Sequence, residues 1–382
     1  MSLKPTYFDI CKERDPILVE FLEKEVLNYN NSNQKMKTFE QVEDFSIYFK
    51  DYLKYEILNI SKYFKEDLNR QGKGNVSDSE IIETVKNYMP EEATQMMYSD
   101  YITLFNFMLF NKKTFLLSNH LCENLALTKL DISSKYLFPP FDCCLFIFDN
   151  PEVIYAFNKM IEKDSNIVTL PINVFIIHTV TDEGYRKLLF ICIQADKNRT
   201  QTFIKREIMI KEDWTIEDSL NTDWRNIFNL SKEETENDEE LFFNEGLLFF
   251  RIILNSILYL GSNEIDIQEK LSPNKILLEK LKNLKSSKKL KNTKKKLSST
   301  SSLDYSLVGQ NIKPIIVKKP SIAYDSSSNF SKIIKNIKFL VRGHWRKQHY
   351  DKNNSKTKLI WIEPYFKGDE LGKLINKNYS VN

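Results

Sequence analysis

Asn173-Val174-Phe175-Ile176-Ile177-His178-Thr179-Val180 places β-branched and aromatic side chains at nearly every position, which favours an extended strand over a helix. Cys143 to Phe148 has the same character and follows the breaker Pro139-Pro140. Beyond Val180, Asp182-Glu183-Gly184 leads into Lys187 to Ala195, and Lys197-Asn198 leads into Thr202 to Ile210. Turn residues between apolar runs of this length predict an antiparallel meander.

Before Leu137 the period is helical. Asp15-Pro16 supplies an N-cap and a first-turn proline ahead of Ile17, Leu18, Phe21, Leu22 and Val26. Val42, Phe45, Phe49, Leu53 and Ile57 continue at helical spacing until Gly72 and Gly74, Ser77 and Glu80 have the spacing of a capping box, and another helix should begin near Pro90. Tyr101, Phe105, Phe107 and Phe110 form an aromatic stripe that suits core packing better than a ligand cradle. After the meander, Leu241 to Leu260 is the most apolar run, but Asn244, Glu245, Arg251, Asn255 and Ser256 make a membrane span costly and predict a buried helix. The acidic residues from Glu233 to Glu240 precede it, where negative charge suits a helix N-terminus.

These readings give an α+β fold: a helical N-terminal region (1–130), an α+β core with the meander and buried helix (137–262), a lysine-rich flexible linker (272–300) and a C-terminal β-hairpin region (305–373). With 382 residues, 42% of them hydrophobic, the chain can bury a substantial core. Its formal charge of +3 demands neither nucleic acid nor an anionic membrane. The linker is the local exception, since Ser272 to Thr300 holds ten lysines against Glu279 alone. Low apolar content there argues against packed structure.

Five cysteines without a CxxC spacing and an N-terminus without an apolar signal segment point to a reduced, cytoplasmic protein. The sequence has no P-loop, no GxGxxG after a strand, no HExxH and no GxSxG, and only four histidines, so no cofactor or metal is expected. His120 and His178 lie in apolar surroundings and read as hydrogen-bonded structural residues.

The exceptional segment is Val341-Arg342-Gly343-His344-Trp345-Arg346-Lys347-Gln348-His349-Tyr350, followed after the turn-rich Asp351 to Ser355 by Leu359-Ile360-Trp361-Ile362-Glu363-Pro364-Tyr365-Phe366-Lys367-Gly368. As a strand, the first run would put Arg342, His344, Arg346 and Gln348 on one face and Gly343, Trp345 and Lys347 on the other. A row of guanidinium and amide donors beside Tyr350, Trp361, Glu363, Tyr365 and Lys367 suits an acidic peptide, an anion or an RNA backbone. Two alternatives remain open. Arg342 could pair with Glu363 while Trp345 and Trp361 fill the core. Alternatively, His344 and His349, with Arg346 and Tyr350, could serve a metal-independent ribonuclease, although histidines five apart point to opposite faces of a regular strand. A nucleic-acid-binding regulator using the lysine segment is a third class.

The pairing of VRGHWRKQHY with LIWIEPYFKGDE resembles the C-terminal signature of a family of phage and mobile-element proteins that includes a type V-A anti-CRISPR protein. Leu137-Phe138-Pro139, Asn255 to Leu260 and the lysine-rich segment before Val308-Gly309 are similar to that family's layout, so the resemblance spans roughly Leu137 to Lys373. It implies a protein that recognises the emerging polypeptide of the type V-A effector nuclease and promotes loss of its messenger RNA. The implied partners are a polypeptide, nascent on the ribosome, and RNA. The motif positions carried over are Arg342, Gly343, His344, Trp345, Arg346, Trp361, Pro364, Tyr365, Lys367 and Gly368. Where the family pattern has a glycine after the tyrosine of the first run, this chain has Asp351.

Overall fold

The computed structural model describes residues 3–31, 42–72, 76–88, 91–161, 170–180, 185–195, 201–228, 237–262, 265–283, 286–315, 337–351, 353, 355–368 and 373–374. Five helices open the chain: α1 (Tyr7–Arg14), α2 (Pro16–Asn31), α3 (Val42–Arg70), α4 (Asp78–Tyr88) and α5 (Glu91–Leu109). The starts of α2 and α4 follow the local chemistry read from sequence. Asp15 Oδ1 accepts from the Leu18 amide at 2.9 Å, and Ser77 and Glu80 exchange the reciprocal bonds of a capping box at the head of α4.

The central sheet has seven strands in the order β5-β4-β3-β2-β1-β7-β6, built from β1 (Thr114–Leu117), β2 (Cys143–Phe148), β3 (Ile172–Val180), β4 (Arg186–Ala195), β5 (Gln201–Ile210), β6 (Ile267–Lys270) and β7 (Tyr305–Val308). From β2 to β5 the expected meander is antiparallel throughout. Its Asp182-Glu183-Gly184 and Lys197-Asn198 turns, like Glu233, Glu234 and Glu236 before the long apolar helix, lie outside the described residues. The mixed part is β1, which runs parallel to both β2 and β7. A single sheet thus takes strands from the expected helical region, the core and the C-terminal region, and its hydrogen bonding crosses the boundaries drawn between them.

Alternation along the strands feeds two cores. On one face, Leu145, Ile147, Phe175 and Ile177 pack with α1, α2 and α5, including Tyr101, Phe105 and Phe107 of the aromatic stripe. The opposite face sends Phe146, Phe148, Val174 and Phe190 against α6 (Asn119–Ala126), α7 (Pro151–Met160) and α9 (Asn237–Leu260). The expected buried helix is α9; α8 (Ile216–Phe228) precedes it, and no helix among the described residues is long and apolar enough to cross a membrane. All five cysteines are buried free thiols.

The lysine-rich segment departs from expectation, because 272–300 holds α10 (Pro273–Lys282) and α11 (Ser287–Leu297) in place of an unstructured linker. Composition missed what local signals allow. Ser272 Oγ accepts from the Lys275 amide at 3.1 Å, with Pro273 in the first turn, the same device that starts α2. Lysine and leucine are good helix formers, and the half-buried Leu290 and Leu297 give α11 an inward edge.

Candidate functional site

The last described segment has two small sheets. β8 (Ile337–Val341) pairs with β11 (Tyr365–Gly368) and β12 (Lys373–Leu374), whereas β9 (His344–Tyr350) and β10 (Lys356–Ile362) pair antiparallel as a hairpin. The strand expected through Val341 to Tyr350 is therefore split at Arg342-Gly343. Gly343 is diverted into the loop after α6: its amide donates to Leu127 O at 3.1 Å and its carbonyl accepts from the Lys129 amide at 2.9 Å. A Cβ there would stand 2.5 Å from Thr128 Oγ1 and 3.0 Å from Pro364 Cδ, so the approach requires glycine.

Directly opposite each other in the register, Trp345 and Trp361 turn to the same side. Trp345 is only 7% exposed, and its indole N–H donates to Asn255 Oδ1 of α9 at 2.8 Å. The Asn255 amide in turn donates to the carbonyls of Leu125 and Thr128 at 3.1 and 3.0 Å. Trp361 Nε1 donates to Thr128 Oγ1 at 3.1 Å, and Tyr259 meets its ring edge-on with centroids 5.4 Å apart. Every polar atom in this anchor has a partner, which is what burial in an apolar setting demands.

These contacts sort the expected binding residues. Trp345 belongs to the core and half-buried Trp361 packs against it, as in the alternative that the sequence left open for the two rings. Arg342 leaves the strand row because it sits at the break. Beyond it, Arg346, Gln348 and Tyr350 share the outward parity of β9 and are exposed, with half-buried His344 at their head; Arg346 donates to Gln348 Oε1 at 3.0 Å. Exposed Arg342, Glu363, Tyr365 and Lys367 flank this face. His349 is exposed on the opposite parity, shared with Lys347, whose ammonium lies 4.6 Å from the Tyr136 ring centroid. The two histidines therefore do not form one acid–base pair on a common face.

Asp351, directly after β9, adopts φ +130°, a conformation natural to glycine. Its carboxylate compensates by accepting from the Ser355 amide at 2.8 Å and the Ser355 hydroxyl at 2.6 Å, and the Ser355 bond holds the group below the usual carboxylate range.

Sequence reasoning missed Thr128, which gives no local sign of its role. Asn255 did give one, as a polar residue inside the most apolar helix. A groove of about 740 Å³ at the starts of β1 and β7 was also missed; Lys12, Lys113, Lys275, Phe141 and Asp304 are among its lining residues. His178 is half-buried with Asp142 Oδ1 at 3.3 Å, whereas His120 is exposed beside Glu123 Oε2 at 3.2 Å, so the apolar surroundings expected for His120 are not found. No cluster of three metal-ligating side chains occurs among the described residues.

A family model described as AcrVA2-like, the anti-CRISPR type V subtype A2 family, matches residues 115–366, from β1 into β11. No curated protein and no solved structure matches the chain.

Proposed function

The chain belongs to the AcrVA2-like, anti-CRISPR type V subtype A2 family, and from that premise we propose that it recognises the emerging polypeptide of a type V-A effector nuclease and lowers the messenger RNA encoding it. The observation that carries this reading is the double indole anchor. It fixes the hairpin to α9 and the Thr128 loop while leaving Arg346, Gln348 and Tyr350 outward. A rigid strand offering a guanidinium, an amide and a phenol suits recognition of a peptide by charge-assisted and main-chain hydrogen bonds. Preorganisation of this kind lowers the ordering cost of binding.

Cells carrying a type V-A system test the reading directly. Expression of the chain should reduce both effector protein and effector messenger, and Arg346→Ala should restore both while the variant accumulates normally. Unchanged effector levels with the unsubstituted chain would overturn the proposal, and activity retained by Arg346→Ala would remove the hairpin face from it. A ribonuclease using His344 and His349 has less support, since the strand directs the two rings to opposite sides.

A further inference from the structure

We propose that α11 is a docking face for the phosphate backbone of RNA, read without sequence specificity. This goes beyond the peptide-recognising role of the hairpin and does not depend on it.

Lysines crowd one another along α11, and only Lys294, Lys295 and Lys296 in its last turn suit the helix dipole. Lys288, Lys289, Lys291, Lys294, Lys295 and Lys296 are all exposed, and no acidic residue lies within α11. Lys288 and Lys291, Lys291 and Lys294, and Lys291 and Lys295 stand three or four positions apart, where like charges repel across the helix surface. Lys288 and Lys289 also occupy the first turn, the positive end of the helix dipole, and the N-cap Ser286 makes no side-chain capping bond. A polyanion along this face relieves the lysine repulsion, and a phosphate at the first turn can satisfy its unpaired amides.

Charge density favours a nucleic acid. From Lys288 to Lys296 the helix rises about 12 Å, so its six ammonium groups provide roughly one positive charge per 2 Å, close to the linear charge density of a duplex. The face contains neither arginine for bidentate readout of base edges nor an aromatic ring for stacking, so its contacts fall on the backbone. Half-buried Leu290, Thr293 and Leu297 occupy the other side of the helix. α10 packs on α11 and contributes Lys275, paired with Asp304, to the groove whose wall also carries Glu269 and the exposed Lys12 and Lys113. Ile276 and Leu278 are exposed on α10, which makes an anionic membrane the competing occupant.

The experiment uses the full chain, a fluorescent 20-nucleotide RNA of mixed sequence, and salt titration from low to physiological ionic strength. Binding should be insensitive to RNA sequence and fall steeply with salt. The triple substitution Lys291→Gln, Lys294→Gln, Lys295→Gln should weaken binding at least tenfold at low salt. It should also flatten the slope of log K against log salt by about 2, from about 0.7 per lost phosphate contact on a single strand. The matching triple Lys→Arg variant should retain binding, which separates charge from folding, and melting curves of all three proteins should coincide. Equal RNA affinity and slope for the Gln variant and the unsubstituted chain would overturn the proposal, as would failure of the unsubstituted chain to bind RNA at low salt. Preferential binding to phosphatidylcholine vesicles containing 30% phosphatidylserine would assign the face to a membrane instead. Because synthetic RNA and purified protein are used, loss of the anti-CRISPR activity proposed above would not affect these outcomes.

Discussion

Two hairpins stand outside the seven-stranded sheet, one of strands (β9–β10) and one of helices (α10–α11), and they are secured by opposite chemistry. The strand hairpin inserts two indoles into the core and satisfies both N–H groups there. Among the described residues the helical hairpin is tied near its base, where Lys275 bonds to Asp304 at 2.6 Å and Ser301 to Asp9 of α1 at 2.6 Å, while Thr300 and Asn274, 2.6 Å apart, close the base itself. Apolar anchoring makes surface and core a cooperative unit, whereas a few polar ties at one end, the Lys275–Asp304 pair among them exposed, leave the distant end open to local unfolding. The surface proposed for shape recognition and the one proposed for charge therefore have different mechanical needs.

The largest expected effect tests the anchor. Trp345→Ala should destabilise the fold by about 3–5 kcal/mol, the usual cost of removing a buried large aromatic side chain. Trp345→Phe should cost about 1–3 kcal/mol, because Asn255 Oδ1 loses its donor inside the core. Denaturant titration measures both, and a negligible loss in either case would make the two hairpins alike.

Next is Gly343→Ala, for which overpacking against Thr128 and Pro364 should cost about 1–3 kcal/mol. Adding Thr128→Ala should recover part of this loss despite removing the acceptor of Trp361, so the two substitutions should be clearly non-additive in a double-mutant cycle.

At the helical hairpin the effects should be smaller and local. Burial pushes the Asp304 carboxyl up, but the bonds from Lys275 and the Ser272 amide outweigh it and leave the group below its ordinary value. A depressed folded pKa contributes stability above the unfolded value, about 3.9, and that contribution is lost as pH falls through the folded value. Amide hydrogen exchange around 272–276 should therefore accelerate below about pH 4 relative to the sheet. Asp304→Asn should abolish that pH dependence and, at neutral pH, hasten trypsin cleavage within 272–300. Resistance of this segment while other sites are cut would contradict its weak attachment.

The smallest stability effect belongs to Arg346→Ala, within about 0.5 kcal/mol, since its side chain is exposed. Thermal melting checks this against the loss of function expected in cells. Unfolding as severe as that of Trp345→Ala would place Arg346 in the anchor and remove the distinction between the hairpin's faces.

Sequence reading recovered the elements whose chemistry is local. β2 through β5 follow from β-branched runs and turn residues, α9 from its apolar length, and α4 from the spacing of Ser77 and Glu80. It missed β1, because Thr114 to Leu117 is buried along its whole length and four such residues after a helix carry no period that distinguishes strand from helix. It underrated Ser272-Pro273 because lysine composition was weighed above a capping signal. The hairpin itself was legible in outline, including its turn, but the break at Arg342-Gly343 was not. That break is imposed by Thr128, more than two hundred positions away, and a tertiary contact of this range leaves no mark on local alternation.

The reach of the anchor also orders events in time. Trp361 bonds to a residue 233 positions earlier, and Trp345 to one 90 positions earlier, so during synthesis the receiving groups emerge well before the indoles that dock on them. Distant pairings of this kind are slow to form and follow the assembly of nearer contacts. The outward face of β9 consequently acquires its shape only on a molecule whose sheet and long apolar helix already stand. Under the role proposed for that face, readiness to bind would be tied to maturity: a half-made copy would present no competing surface, and only finished molecules would engage a target.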